Sequence, residues 1–155
     1  MVNEASGTAG ALTFHVYAGG ATVPEYMRLD SAGNLGLGVT PSAWGSGWKA
    51  FDVNTIGSLA ATTGVLRLYT NAYNDGGGNK YKTTAAASMY SQDTGAHQWF
   101  TAPSGTAGNA ITFTQAMTLD ASGRLLIGTT NTYDFNGQAN LVVAGTSNLA
   151  TICIA

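Results

Sequence analysis

MRLDSAGNLGLGVT at residues 27–40 returns as MTLDASGRLLIGTT at residues 117–130, and each copy reads as one β-hairpin. In the first copy Asp30 opens the turn, Ser31 and Ala32 form its corners, and Gly33 takes the position that needs a positive φ. Asp120, Ala121, Ser122 and Gly123 repeat that arrangement. An aspartate side chain can close such a turn on the backbone, and glycine accepts the left-handed conformation without steric cost. These four residues, Asp30, Gly33, Asp120 and Gly123, are therefore assigned to turns and not to chemistry. A repeated hairpin also marks a modular β architecture, in which each unit leaves apolar surface for another copy or another chain to cover.

The flanks extend the repeat. SGTAGALTF at 6–14 resembles SGTAGNAITF at 104–113, and HVYAGGATVPEY at 15–26 reads as a loop insertion relative to TQA at 114–116. After each hairpin comes a polar loop and another short strand, within KAFDVNTIGSLA at 49–60 and ANLVVAGTSNLA at 139–150. The organisation expected is the back half of one β unit at 1–57, a complete unit at 58–145, and the first strand of a following unit at 146–155. The chain stops inside a strand pattern, so it is expected either to be a segment of a longer polypeptide or to pair its last strand with a partner. Between the hairpins, VLRLYTNAYN (65–74), a flexible DGGGN tip (75–79), KYKTTAAASMYS (80–91) and HQWFTA (97–102) read as a meander of strands.

Composition narrows the function classes. Leu, Ile, Val and Phe supply only 30 of 155 residues, while Gly, Thr, Ala, Asn and Ser supply more than half, a bias toward turns and small β-compatible side chains. Charged residues are 9% of the chain and the net charge is −2, which offers no basic stripe for nucleic acid. No apolar run is long enough to cross a bilayer as a helix, so no membrane insertion is expected. One cysteine, Cys153, excludes an intrachain disulfide framework. Where three β-rich chains wrap a common axis, small residues permit close approach, and surfaces buried between subunits need little charge.

Candidate chemistry is thin. His15 and His97 are the only histidines and stand in strand-like sequence, and no spacing supports a metal or cofactor site. The runs beginning at Asp30 and Asp75 lack the terminal glutamate and alternating ligands of a calcium loop. GNLGLG and DGGG lack the lysine and the strand-to-helix context of a phosphate loop. Trp44, Trp48, Tyr73 and Trp99 are the residues placed as candidates for contact with a glycan or receptor. The competing reading has these rings fill a core between subunits.

At the hairpins the sequence resembles the tail fibres and tail spikes of tailed bacteriophages, which carry repeats of the form M-R-[IL]-D-S-x-G-N-[LV]-G-[IL]-G-T-T followed by a proline-containing turn. Residues 27–41, MRLDSAGNLGLGVTP, match with Val39 in place of the first threonine; the second copy has Thr118, Arg124 and Leu126 in place of Arg, Asn and Gly and no following proline. The resemblance implies an elongated homotrimer in the virion, joined to other tail proteins, whose distal parts recognise a host-surface glycan or protein. The expected protein is thus all-β, built of repeated hairpins and antiparallel meander strands interwoven in a homotrimer, non-enzymatic and without a cofactor. A glycan depolymerase spike and a bacterial adhesin or head fibre are the alternatives.

Overall fold

The computed structural model describes residues 10–17, 19–20, 23–130 and the backbone of 141–143. Thirteen strands and no helix occur among them. They are β1 Leu12–His15, β2 Glu25–Leu29, β3 Leu35–Leu37, β4 Lys49–Val53, β5 Gly57–Thr62, β6 Val65–Thr70, β7 Ala72–Asn74, β8 Asn79–Tyr81, β9 Ala85–Asp93, β10 Ala96–Gly105, β11 Thr114–Leu119, β12 Leu125–Ile127 and β13 Leu141–Val143. Eleven form one sheet in the order β1-β2-β3-β4-β5-β6-β9-β10-β11-β12-β13, and β7 and β8 form a separate pair. All neighbours are antiparallel except β3 with β4 and β12 with β13. The protein is therefore all-β and mostly antiparallel. Its sheet passes without a break through residues 57 and 58, where β5 pairs with β4.

The repeated hairpins are β2–β3 and β11–β12. Gly33 and Gly123 stand at φ 81° and 79°, and their N–H groups donate to Asp30 O and Asp120 O at 3.0 and 2.9 Å. The aspartate side chains complete the turns: Asp30 Oδ1 accepts from Asn34 N at 2.8 Å, and Asp120 Oδ1 from Ser122 N and Arg124 N at 2.9 Å each. The exchange of Asn34 for Arg124 preserves the turn, because Asn34 Nδ2 and Arg124 Nε both donate to the second carboxylate oxygen, at 3.2 and 2.7 Å.

Gly36 and Leu126 are matched positions, opposite Arg28 and Thr118, and their difference has a packing cause. A Cβ on Gly36 would fall 2.0 Å from Val39 O and 2.9 Å from Pro41 Cδ, so the Pro41 turn lies directly on that strand. In the second copy, which has no such proline, the Leu126 side chain is itself buried there.

The structural repeat is wider than the hairpin. The series β1-β2-β3-β4 and β10-β11-β12-β13 have the same two antiparallel pairings followed by one parallel pairing. Leu12, Thr13 and Phe14 face Leu29, Arg28 and Met27, then a bulge intervenes; His97, Gln98 and Trp99 face Leu119, Thr118 and Met117, with the bulge at the same place. Leu12–His15 thus corresponds to His97–Phe100 and not to the similar letters at 111–113, which lie outside any strand between β10 and β11. Residues 6–9 of the other block lie outside the described residues, as does the expected strand at 146–155.

The central meander also departs from a simple hairpin. Residues 65–74 and 80–91 are not two continuous strands, because the chain turns out of the sheet at Asn71, φ 58°, and returns at Ala85. Asn71 is buried and holds this exit: its Nδ2 donates to Thr83 O, Ala85 O and Ala86 O at 3.0–3.1 Å, while its Oδ1 accepts from Thr83 N and Thr83 Oγ1 at 2.7 and 2.8 Å. The excluded β7–β8 hairpin folds over one face of the sheet.

Candidate functional site

Strand alternation gives the sheet two faces of different kinds. One is covered by three of its own connections: the loop at 38–48, the β7–β8 hairpin, and the β10–β11 connection. The core lies here, made of Trp44, Ala50, Ala60, Tyr69, Ala72, Tyr81, Ala87, Met89, Ala102 and Ile111. Small alanines on the sheet leave depth for the rings above. Trp44 packs against Tyr69, Trp48 and Tyr73 with ring centroids 5.6, 6.1 and 6.2 Å apart. Two glycine-rich loops meet at Gly45 and Gly76, where a Cβ on Gly45 would stand 2.3 Å from Gly76 N.

Asp52 anchors this cap to the sheet. It is 0% exposed and accepts from Ser42 N at 2.7 Å and from Trp44 Nε1 at 3.3 Å, and Lys82 Nζ stands 3.0 Å from its Oδ1. Burial alone would raise the Asp52 pKa; the Ser42 N–H bond, the Lys82 bond and charge, and the neighbouring Ser58 outweigh it and hold the carboxyl below its ordinary value. Burial lowers the Lys82 pKa, and the Asp52 contact only partly offsets this. One carboxylate thereby fastens the 38–48 loop and the turn after β8 to β4. Sequence reading missed both members of this pair. Asp52 shared a face with Ala50 in KAFDV, but nothing in the letters placed Lys82 beside it.

The opposite face is covered by no described part of the chain. One register line crosses it: Leu12, Leu29, Leu35, Phe51, Leu59, Leu68, Tyr90, Trp99, Met117 and Ile127, each paired with the next across ten successive strands. Every member is apolar or aromatic. Leu29, Leu59, Leu68, Trp99 and Ile127 are exposed, Leu68 to 55%. Apolar residues also stand two positions along several strands, at Phe14, Leu37, Val53, Leu66 and Leu119, all exposed. A hollow of about 250 Å³ opens on this face among Phe51, Leu59, Ala61 and Leu66.

The proposed ligand-contact residues separate accordingly. Trp44 is 8% exposed and belongs to the core of the cap. Trp48 and Tyr73 are half-buried against it, with Arg67 Cζ 5.3 Å from the Trp48 ring centroid. Trp99 lies on the other side of the sheet, in the apolar line, 5.1 Å from Tyr90 between ring centroids. The four do not converge on one site. His97 Nδ1 bonds Tyr90 OH at 2.5 Å, and His15 Nδ1 bonds Val23 O at 3.0 Å.

Acidic groups are engaged locally. Glu25 pairs with Arg28 at 2.7 Å, and Asp75 Oδ1 accepts from Gly77 N and Gly78 N at 2.9 Å each, closing its own loop. No group of three or more His, Cys, Asp or Glu among the described residues is placed to hold a metal ion, and no helix among them is long and apolar enough to cross a membrane. No protein-family model matches the chain, and no curated protein matches it.

Proposed function

We propose that this chain is a structural module of a homotrimeric virion fibre of a tailed bacteriophage, non-enzymatic, that extends a rod and contributes to attachment to the host surface. The observation that carries the reading is the uncovered apolar line across ten strands. A sheet with one covered face and one bare apolar face is half of a packed structure, and sheets are stable when both faces have a partner. The repeated four-strand series supports the rod, since its two copies lengthen one sheet at opposite ends with the same order of pairings. The phage-fibre-like hairpins at 27–40 and 117–130 supply the kind of fibre. Attachment would work by avidity, with weak contacts repeated around the assembly and across several fibres.

The non-enzymatic part rests on the acids. Among the described residues Asp30 and Asp120 close turns, Asp52 is sealed beneath the cap, Glu25 and Asp75 are engaged as described, and Asp93 lines the hollow at the β9–β10 turn with no second carboxylate beside it. Antibody fragments raised against the chain should label the tail of intact virions by electron microscopy and reduce adsorption to host cells. Labelling of heads or of bacterial cells alone would refute this reading. Release of reducing ends from host polysaccharide by the purified chain would favour a depolymerase.

A further inference from the structure

We infer that the apolar line is the axis-facing surface of a threefold assembly, with two further copies of this chain as its occupants and with the strands running across the rod rather than along it. The inference rests on the homotrimer reading above and adds which face makes the trimer and how it is oriented.

Extent comes first. Ten strands at about 4.8 Å spacing make the line about 43 Å long, and side chains at positions i−2, i and i+2 make the stripe about 15 Å wide, roughly 600 Å² in projection. That is at the upper end of what a monomer leaves bare. Accessible area exceeds projected area, so the face approaches the ~800 Å² per partner of a standard stable interface.

Shape selects the number of copies. Packed sheets lie about 10 Å apart, so each stands about 5 Å from the midline between them. Three sheets enclosing an axis at that distance form a triangular prism whose sides are about 17 Å, or about five residues of extended chain. β2 and β4 have five residues, and β5, β6 and β11 have six, the width of such a side; β1, β3 and β12 are shorter, at four, three and three, and β9 and β10, at nine and ten, run past it.

The residue pattern agrees with that geometry. In a prism only the middle of each strand points at the axis, whereas a two-sheet sandwich buries the flanking positions as well. Here the central line is apolar or aromatic at all ten strands, whereas each flank is mixed: one is apolar at Phe14, Leu37 and Val53 and polar at Thr70, Ser88 and Thr101, and the other is apolar at Leu66 and Leu119 and polar at Lys49, Gln92 and His97. The bulkiest pair, Tyr90 and Trp99, is flanked by small Ser88 and Thr101, which leaves room for the same rings from neighbouring copies. In this arrangement the cap built on Asp52, Trp44 and the β7–β8 hairpin faces outward.

The test uses the full chain with Cys153→Ser, followed by light scattering behind size exclusion and by a short bis-maleimide crosslinker. The unaltered face should give three times the 15.8 kDa chain mass. Leu68→Glu should give one chain mass at micromolar concentration with an unchanged far-ultraviolet spectrum, because that side chain is exposed in the single subunit, whereas Ser46→Glu in the outer loop should leave the trimer intact. Leu59→Cys should crosslink between chains and Ser46→Cys should not, which keeps the inference testable if Leu68→Glu fails to fold. A trimer that survives Leu68→Glu, or Leu59→Cys without crosslinks, would place the interface elsewhere and leave the fibre reading standing. A dimer would mean a sandwich, and a monomer a face covered by the chain's own termini or by a different protein; each overturns the inference. Tail labelling of virions tests the fibre reading separately.

Discussion

Replacing Asp52 with Asn keeps the shape of the side chain and removes the charge that Lys82 faces. Lys82 is 5% exposed and Asp52 0%, so the ammonium would remain buried without an anion, a change that costs about 3–5 kcal/mol when one partner of a buried pair is removed. The amide would also bring N–H donors toward Ser42 N and Trp44 Nε1, which already donate into that site. Lys82→Met keeps most of the stem and removes the opposite charge, and the double variant should be more stable than the two single losses add up to, by about 1–3 kcal/mol. Urea unfolding of the four proteins at one fixed chain concentration measures this, since an assembling protein's stability depends on concentration. An Asp52→Asn protein within about 1 kcal/mol of the parent, or strictly additive losses, would refute the role of Asp52 as the anchor of the cap.

The pair also sets a pH dependence. Asp52 has a folded pKa below its ordinary value of 3.8, so its stabilisation is present above that ordinary value and is lost as pH falls through the lower folded value. Lys82 has a folded pKa below 10.5, so its burial penalty is full below the folded value and is relieved as pH rises toward 10.5. Asp52→Asn should therefore flatten the acid limb of the stability profile.

The remaining predictions concern single positions. Gly36→Ala should cost several kcal/mol, because backbone at Val39 occupies the space its Cβ needs; a thermal melt unchanged by this substitution would contradict the turn packing over β3. Asn71→Ala removes five hydrogen bonds from a buried residue at positive φ and should cost about 3 kcal/mol or more, with the β7–β8 amides losing hydrogen-exchange protection before the rest of the sheet. Trp44→Ala should lower stability by about 3–5 kcal/mol, whereas Trp99→Ala should spare the single-chain fold and weaken assembly. A Trp44→Ala chain that melts normally but loses binding to host cells would return that ring to the receptor surface.

The sequence made the hairpins legible because their chemistry is local: Asp30 and Gly33 act within five residues of one another, and the same letters at 120 and 123 report the same turn. Alternation likewise gave the strands and the all-β class. It did not give the exit of β7–β8 from the sheet, because VLRLYTNAYN alternates well enough as one strand and the bonds that break it run from Asn71 to residues 12–15 positions away. The SGTAG blocks misled for a related reason. Matching letters at 12–14 and 111–113 fall at different stages of the strand order, and pairing register rather than identity defines the true equivalence of β1 with β10. The candidate rings were legible as aromatic residues but not as inside or outside, since that depends on the cap.

Sedimentation equilibrium of the unmodified chain over a range of micromolar concentrations tests the central claim most directly, that the bare apolar face is closed by copies of the same chain. The account predicts a single species of three chains. A species of one chain across that range would contradict it.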